Sequence, residues 1–103
     1  MYSGTLYFED GDPVEVRSFI VRDSEIAFDL TGGWGEHGFW RREGVARQQG
    51  HEFHSDMAPS FQNGEEGYPC KIVFRTVRGG DVDGYWFEES EAHAFSGSLE
   101  KKP

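Results

Sequence analysis

Hydrophobic and polar residues alternate along most of this chain with a period of two. In the clearest case, Ile26, Phe28 and Leu30 are separated by acidic or small residues. Segment 70–77 shows the same alternation, with Ile72 and Phe74 between charged or smaller positions. A period of two places successive side chains on opposite faces of a β-strand. The pattern therefore predicts amphipathic strands with one buried face.

Turn-forming residues separate these segments about every ten residues, the spacing typical of an all-β chain. Gly11, Gly32-Gly33, Asn63-Gly64 and Gly79-Gly80 supply most of the breaks. No window of helical length shows apolar residues at i, i+3 and i+4. Between seven and nine short strands without a helix leave two architectures, a closed barrel or a sandwich.

We predict an all-β fold, an antiparallel up-and-down meander of about eight strands in a closed or nearly closed barrel. Successive tight turns favour pairing between neighbouring strands, and closure removes exposed sheet edges. The 103 residues are expected to form one domain, 1–103. The interior should bring together the apolar residues of alternating segments, which are Ile26, Phe28, Leu30, Phe74, Phe95 and Leu99.

The first and last predicted strands carry the same residue types at two-residue spacing. These are Gly4-x-Leu6-x-Phe8 and Phe95-x-Gly97-x-Leu99. In a closed antiparallel barrel the first and last strands pair. We therefore predict that small and large inward residues interleave across this seam.

Three segments are less regular. Apolar residues on both sides of Ser18 predict a β-bulge there. Residues 39–42 and 45–49 are predicted as two strands that turn near Glu43-Gly44. Residues 56–69 hold two prolines and several glycines and are predicted as the longest loop, with a short strand over 60–62 as the alternative.

Two regions resemble strands of small calycin-type barrels, the lipocalin and avidin-like group. One runs from Gly84-Tyr85-Trp86-Phe87-Glu88-Glu89 to Phe95-Ser96-Gly97-Ser98-Leu99, and the other from Phe39-Trp40 through Gly44-Val45-Ala46 to Gly50 and Phe53. The resemblance implies a small antiparallel barrel. It covers strand pattern and size over most of the chain, and we transfer no ligand or binding residue from it.

The chain is acidic, with 19 acidic against 10 basic residues and a formal charge of −9. This balance disfavours nucleic acid and anionic membrane as partners, because both attract cationic surfaces. The acidic residues fall mostly at predicted turns. They indicate either a well-solvated surface or a face that recognises a basic protein partner.

Cys70 is the single cysteine, so an intramolecular disulfide is excluded. The chain shows neither a charged leader followed by an apolar run nor a stretch of about 20 apolar residues that could span a bilayer. These features predict a cytoplasmic protein, with an exported protein whose leader has been removed as the alternative. Cys70 begins an amphipathic strand on its apolar side, which predicts a buried, unreactive thiol.

The residues give little sign of catalysis, metal binding or a cofactor. His51 and His54 are three apart and would face opposite sides of a strand, whereas Glu52 and His54 would share a face. We therefore expect no metal, no cofactor and no catalytic residue. An enzyme with a histidine–carboxylate site near His51 or His93 remains a further hypothesis.

The aromatic residues are the strongest functional indication, with three Trp, four Tyr and nine Phe. Most of them should fill the barrel. The functional hypothesis is a ligand-binding pocket lined by aromatic rings, with an arginine that fixes a polar group of the ligand. Its predicted residues are Trp34, Phe39, Trp40, Arg42 and Trp86. The predicted function is thus a non-catalytic barrel that binds a small apolar or aromatic ligand in its mouth, with an acidic inhibitor- or immunity-type interaction module as the alternative.

Overall fold

The fold is built from β-strands throughout the described residues. The computed structural model describes residues 1–9, 11–33, 39–62 and 64–103. Within them lie ten strands: β1 (Tyr2–Phe8), β2 (Val14–Arg22), β3 (Glu25–Gly33), β4 (Phe39–Gln49), β5 (Glu52–Ser55), β6 (Ala58–Gln62), β7 (Glu65–Arg78), β8 (Asp81–Glu88), β9 (Glu91–Ser98) and β10 (Glu100–Lys101). In that part of the chain, no helix is long and apolar enough to cross a membrane.

The strands form one closed antiparallel barrel with up-and-down order. Strands β5 and β6 lie end to end and share one position between β4 and β7. Strand β10 continues β9 along β1, and the β1–β9 pairing closes the sheet. Counted this way, the described residues make eight barrel strands. The predicted fold class is confirmed.

The barrel interior is filled by side chains over most of its length. All six predicted core residues, Ile26, Phe28, Leu30, Phe74, Phe95 and Leu99, are buried in one cluster. Phe74 lies at the centre of this cluster. Its ring lies 5.2 Å from Phe19, 5.7 Å from Phe28 and 5.9 Å from Phe95, measured between ring centroids.

Small and large residues interleave across the seam between β1 and β9, as predicted. Phe8 pairs with Phe95 in register. A Cβ atom placed on Gly97 would lie 3.2 Å from Leu6 Cδ2, and one on Gly4 would lie 3.1 Å from Leu99 Cδ2. The two glycines therefore provide the room that these leucine side chains occupy.

Two predictions on strand boundaries were wrong. Residues 39–49 form the single strand β4, because Gly44 stays in register with Phe28 of β3 and does not turn. Residues 56–69 are mostly strand, and the alternative of a short strand is confirmed by β6. Both prolines of this region fit the ladder, where Pro59 lies opposite Pro69. The predicted bulge near Ser18 is confirmed by the register shift between Val16 and Ser18.

The barrel has two distinct ends. The end we call the open end is where β1, β3, β6 and β8 finish and where β2, β4, β7 and β9 begin. The opposite end carries the turns between β2 and β3, β4 and β5, and β7 and β8. There, the Leu99 N–H donates to the Gly80 carbonyl at 2.7 Å, which holds the end of β9 against the β7–β8 turn.

Candidate functional site

A cavity of about 300 Å³ lies at the open end of the barrel. It is lined by residues from β1, β2, β3, β4, β6, β8 and β9 and from the connection before β2. Its apolar walls come from Phe8, Pro13, Val14, Trp40 and Trp86. This volume is at the lower end of the range for small-molecule sites, about 300–1,000 Å³. The cavity could therefore hold a compact ligand.

Two tryptophans and a phenylalanine line the inner side of the cavity. The Trp40 and Trp86 ring centroids are 5.2 Å apart at 71°, and Phe8 lies 6.2 Å from Trp86 at 74°. Phe8 also contacts Phe95 at 5.3 Å. Since Phe95 packs on Phe74, the lining rings are continuous with the filled core. The packed core therefore fixes the positions of these lining rings.

Gly32 determines where the Trp40 indole lies. The two residues are opposite each other in the β3–β4 register. A Cβ atom on Gly32 would come within 2.6 Å of three indole atoms of Trp40. The indole therefore lies directly across the Gly32 backbone, a position that any larger residue would exclude.

Two of the four polar side chains that line the cavity, in the described residues, are carboxylates. Glu88 is two residues after Trp86 on the inward-facing side of β8, and Asp12 lies in the connection before β2. His93 lies opposite Trp86 in the β8–β9 register, so it shares the inward-facing side. Its Nε2 is 3.6 Å from Glu91 Oε2. Ser60 of β6 also borders the cavity.

Exposed carboxylates continue this acidic character around the open end. Glu9 follows β1, Glu65 and Glu66 begin β7, and Glu89 follows β8. All four are exposed. The described parts of the connections at this end, residues 9, 11–13, 64 and 89–90, contain neither lysine nor arginine. The open end therefore carries a negative potential.

Arg42 is buried below this region, only 4% exposed, and does not line the cavity. Its Nη2 donates to the Asp56 carbonyl at 3.0 Å, and Nη1 donates to the Glu43 carbonyl. Its guanidinium also lies over the Phe28 ring, 5.4 Å from the centroid. Nε is buried without a described partner. In this arrangement Arg42 donates to a backbone carbonyl of its own strand and to one in the connection between β5 and β6.

Cys70 lies next to Arg42 in the barrel wall and is completely buried. Burial raises the pKa of its thiol, the nearby Arg42 guanidinium opposes this rise, and Glu88 adds to it. Cys70 Sγ is 3.4 Å from the Ala58 carbonyl. A buried thiol that retains its proton is a weak nucleophile, as the sequence pattern predicted.

The structure brings together two of the five predicted site residues, Trp40 and Trp86. Phe39 is 75% exposed and contacts the Gly33 position from outside the cavity. Trp34 lies outside the described residues. Whether any of the five binds a ligand stays a prediction.

The predicted ligand pocket did not include the other lining residues, among them Phe8, Asp12, Glu88 and His93. The alternation within β1 predicted that Phe8 faces the barrel interior. No local sequence pattern indicated that it would border a cavity. For Glu88 the signal was its spacing of two from Trp86. Acidic residues near a turn are normally solvated, so that signal is weak in the sequence.

His54 lies close to a carboxylate on its own strand. His54 Nε2 lies 3.0 Å from Glu52 Oε1 within β5, so the two residues share a face as expected. Glu52 also lies 3.8 Å from Arg75 Nε. Among the described residues, no three His, Cys, Asp or Glu side chains are grouped as metal ligands would be. The pair lies on the β5 segment and is not part of the cavity lining.

Comparisons of the chain with protein-family models, with curated proteins and with solved structures gave no match.

Proposed function

We propose that the protein is a non-catalytic binding protein that takes a small apolar or aromatic ligand into the cavity at its open end. The observation that carries the proposal is the lining of that cavity by Phe8, Trp40 and Trp86 above a filled core. Burying an apolar ligand against such rings is favourable by about 25 cal/mol per Å² removed from water. Because the core below is packed, the rings are held in place before a ligand arrives.

The architecture supports the same proposal. An eight-stranded up-and-down barrel that is filled at one end and open at the other is compatible with a calycin-like fold. We propose that likeness for this chain on the basis of strand order and closure. Fold alone does not define function, so the argument for binding depends on the cavity.

The test is a titration with N-phenyl-1-naphthylamine, an uncharged probe that fluoresces strongly in apolar surroundings. We expect saturable binding to the wild-type protein and about tenfold weaker binding to Trp40→Ala, because one aromatic contact of up to about 1.5 kcal/mol is lost. Phe61→Ala is the matched control, since Phe61 is an exposed ring on β6 outside the cavity. Absence of probe binding, or equal losses in both variants, would contradict the proposal.

The alternative proposal, recognition of a basic protein partner, also has support at the open end. Glu9, Glu65, Glu66 and Glu89 are exposed there. A cluster of like charge steers an oppositely charged protein toward it and accelerates association. We place this proposal second, because recognition of a basic protein by a flat acidic surface does not require a cavity lined by aromatic rings.

A further inference from the structure

We infer that the ligand of this cavity is a small organic cation, an ammonium group attached to an apolar or aromatic body. This inference rests on the proposed function and specifies the chemical class of its ligand. It also replaces the sequence-based expectation that an arginine would fix a polar group of the ligand.

The first argument is the charge of the cavity lining. Of the described lining residues, the ones that carry full charges of fixed sign are the carboxylates of Asp12 and Glu88. Glu88 faces inward next to Trp86. A carboxylate at the edge of an apolar cavity disfavours an anion and attracts a cation, and the low dielectric of the lining strengthens both effects.

The second argument is that the nearby arginines are committed elsewhere. Arg41 faces outward, where its Nη2 lies 2.8 Å from Asp29 Oδ2 and 3.2 Å from Glu43 Oε2. Arg42 faces inward, but its guanidinium donates to backbone carbonyls and lies over Phe28. Neither side chain lines the cavity. These two arginines therefore do not neutralise the carboxylates of the cavity.

The third argument is the aromatic lining. A cation within about 6 Å of a ring centroid is attracted by the negative face of the ring, most strongly with Trp. The rings of Trp40, Trp86 and Phe8 all line the cavity, and they meet edge to face at 71° and 74°. More than one ring therefore borders the space that an ammonium group would occupy, whereas the negative face of a ring repels an anion.

The experiment compares phenyltrimethylammonium with tert-butylbenzene, a neutral molecule of nearly the same shape, and with benzenesulfonate. Binding is followed by the shifts of the Trp40 and Trp86 indole N–H signals in ¹H–¹⁵N spectra at low salt. We expect the cation to bind about tenfold more tightly than the neutral molecule. We expect no shift with the anion.

Glu88→Gln separates the local charge from the charge of the whole protein. It should weaken binding of the cation severalfold more than it weakens binding of tert-butylbenzene. Glu100→Gln is the control, because Glu100 is exposed in β10 at the opposite end and the substitution changes the net charge equally. Equal weakening in both variants would assign the preference to overall charge and overturn the inference.

The outcomes also distinguish this inference from the proposed function. Equal affinity for the cation and tert-butylbenzene, or preference for the anion, overturns the inference and leaves the binding function supported. If none of the three compounds shifts the Trp40 or Trp86 signals, and N-phenyl-1-naphthylamine does not bind either, both proposals fail.

Discussion

At the scale of single residues, the cavity depends on which positions lack a side chain. Gly32 and Gly33 are adjacent at the end of β3, and both border the cavity. Only Gly32 lies beneath the Trp40 indole. A Cβ atom on Gly33 would lie 3.3 Å from the exposed ring of Phe39, which has room to move. Two neighbouring glycines therefore have different roles.

We expect Gly32→Ala to displace the Trp40 ring and to lower the free energy of unfolding by about 1–3 kcal/mol, the usual cost of overpacking. The near-ultraviolet circular dichroism of the tryptophans should change, and urea titration should give the loss of stability. Gly33→Ala is the control and should leave both measurements close to wild type. An unchanged aromatic spectrum in Gly32→Ala would show that the indole does not depend on this glycine.

At the scale of secondary-structure elements, the main irregularity is the break between β5 and β6. Asp56 and Met57 separate the two strands, and the β7 residues opposite the break lose regular ladder partners. Ser55 compensates, because its Oγ accepts the Ile72 N–H at 2.8 Å and donates to the Asp56 carbonyl at 3.0 Å. Arg42 adds a donor to that carbonyl. Side chains thus replace ladder hydrogen bonds at the break.

Ser55→Ala should therefore lower the free energy of unfolding by about 1–3 kcal/mol, the cost of leaving a buried N–H unpaired. The Ile72 amide should also exchange its hydrogen faster than its neighbours in β7. Ser98→Ala is the comparison variant, since the Ser98 hydroxyl donates to Asp81 at an exposed site, and it should change stability by less than about 0.5 kcal/mol. Equal stability of the two variants would exclude this role for Ser55.

The strand boundaries show which secondary-structure elements the sequence pattern predicts and which it does not. Alternation defines β3 clearly, because one face is buried and the other is more exposed, and it also predicts the 70–77 part of β7. At Gly44 the sequence pattern predicts a turn, but this residue stays within β4 and packs against Phe28 and the Arg42 guanidinium. Over 58–62 the pattern leaves a loop and a short strand as alternatives, and pairing with β4 and β7 outweighs the turn preference of Pro59. Pairing with strands distant in sequence therefore determines the secondary structure of both segments.

At the scale of the whole molecule, the barrel and its interior follow from the sequence, whereas the shape of the cavity at the open end does not. Closure is predictable because short antiparallel strands in succession leave edges that only a barrel removes. The cavity depends on the position along the barrel at which the packed core ends. No local sequence pattern specifies that position. The pairing of Trp40 with Trp86, 46 positions apart, arises only once β4 and β8 converge on the open end.

Closure itself rests on the β1–β9 seam, where backbone approaches backbone. A Cβ atom on Gly97 would come within 2.4 Å of the Thr5 carbonyl oxygen. Because this oxygen belongs to the backbone, only a shift of β1 or β9 could relieve the clash. We expect Gly97→Ala to lower the free energy of unfolding by about 1–3 kcal/mol or more, measured by urea titration. Amides of β1 and β9 should lose hydrogen-exchange protection before those of β3, because the strain acts on the seam.

Gly11→Ala provides the matched control for this substitution. Its new Cβ atom would lie at an ordinary 3.8 Å from Phe8 Cβ, so stability and exchange should stay near wild type. If Gly97→Ala instead loses protection evenly over all strands, the barrel unfolds as one cooperative unit and the seam is not its weakest line. If its stability equals that of Gly11→Ala, the close approach of β1 and β9 does not constrain closure, and the bulk of the aromatic core must hold the two strands together.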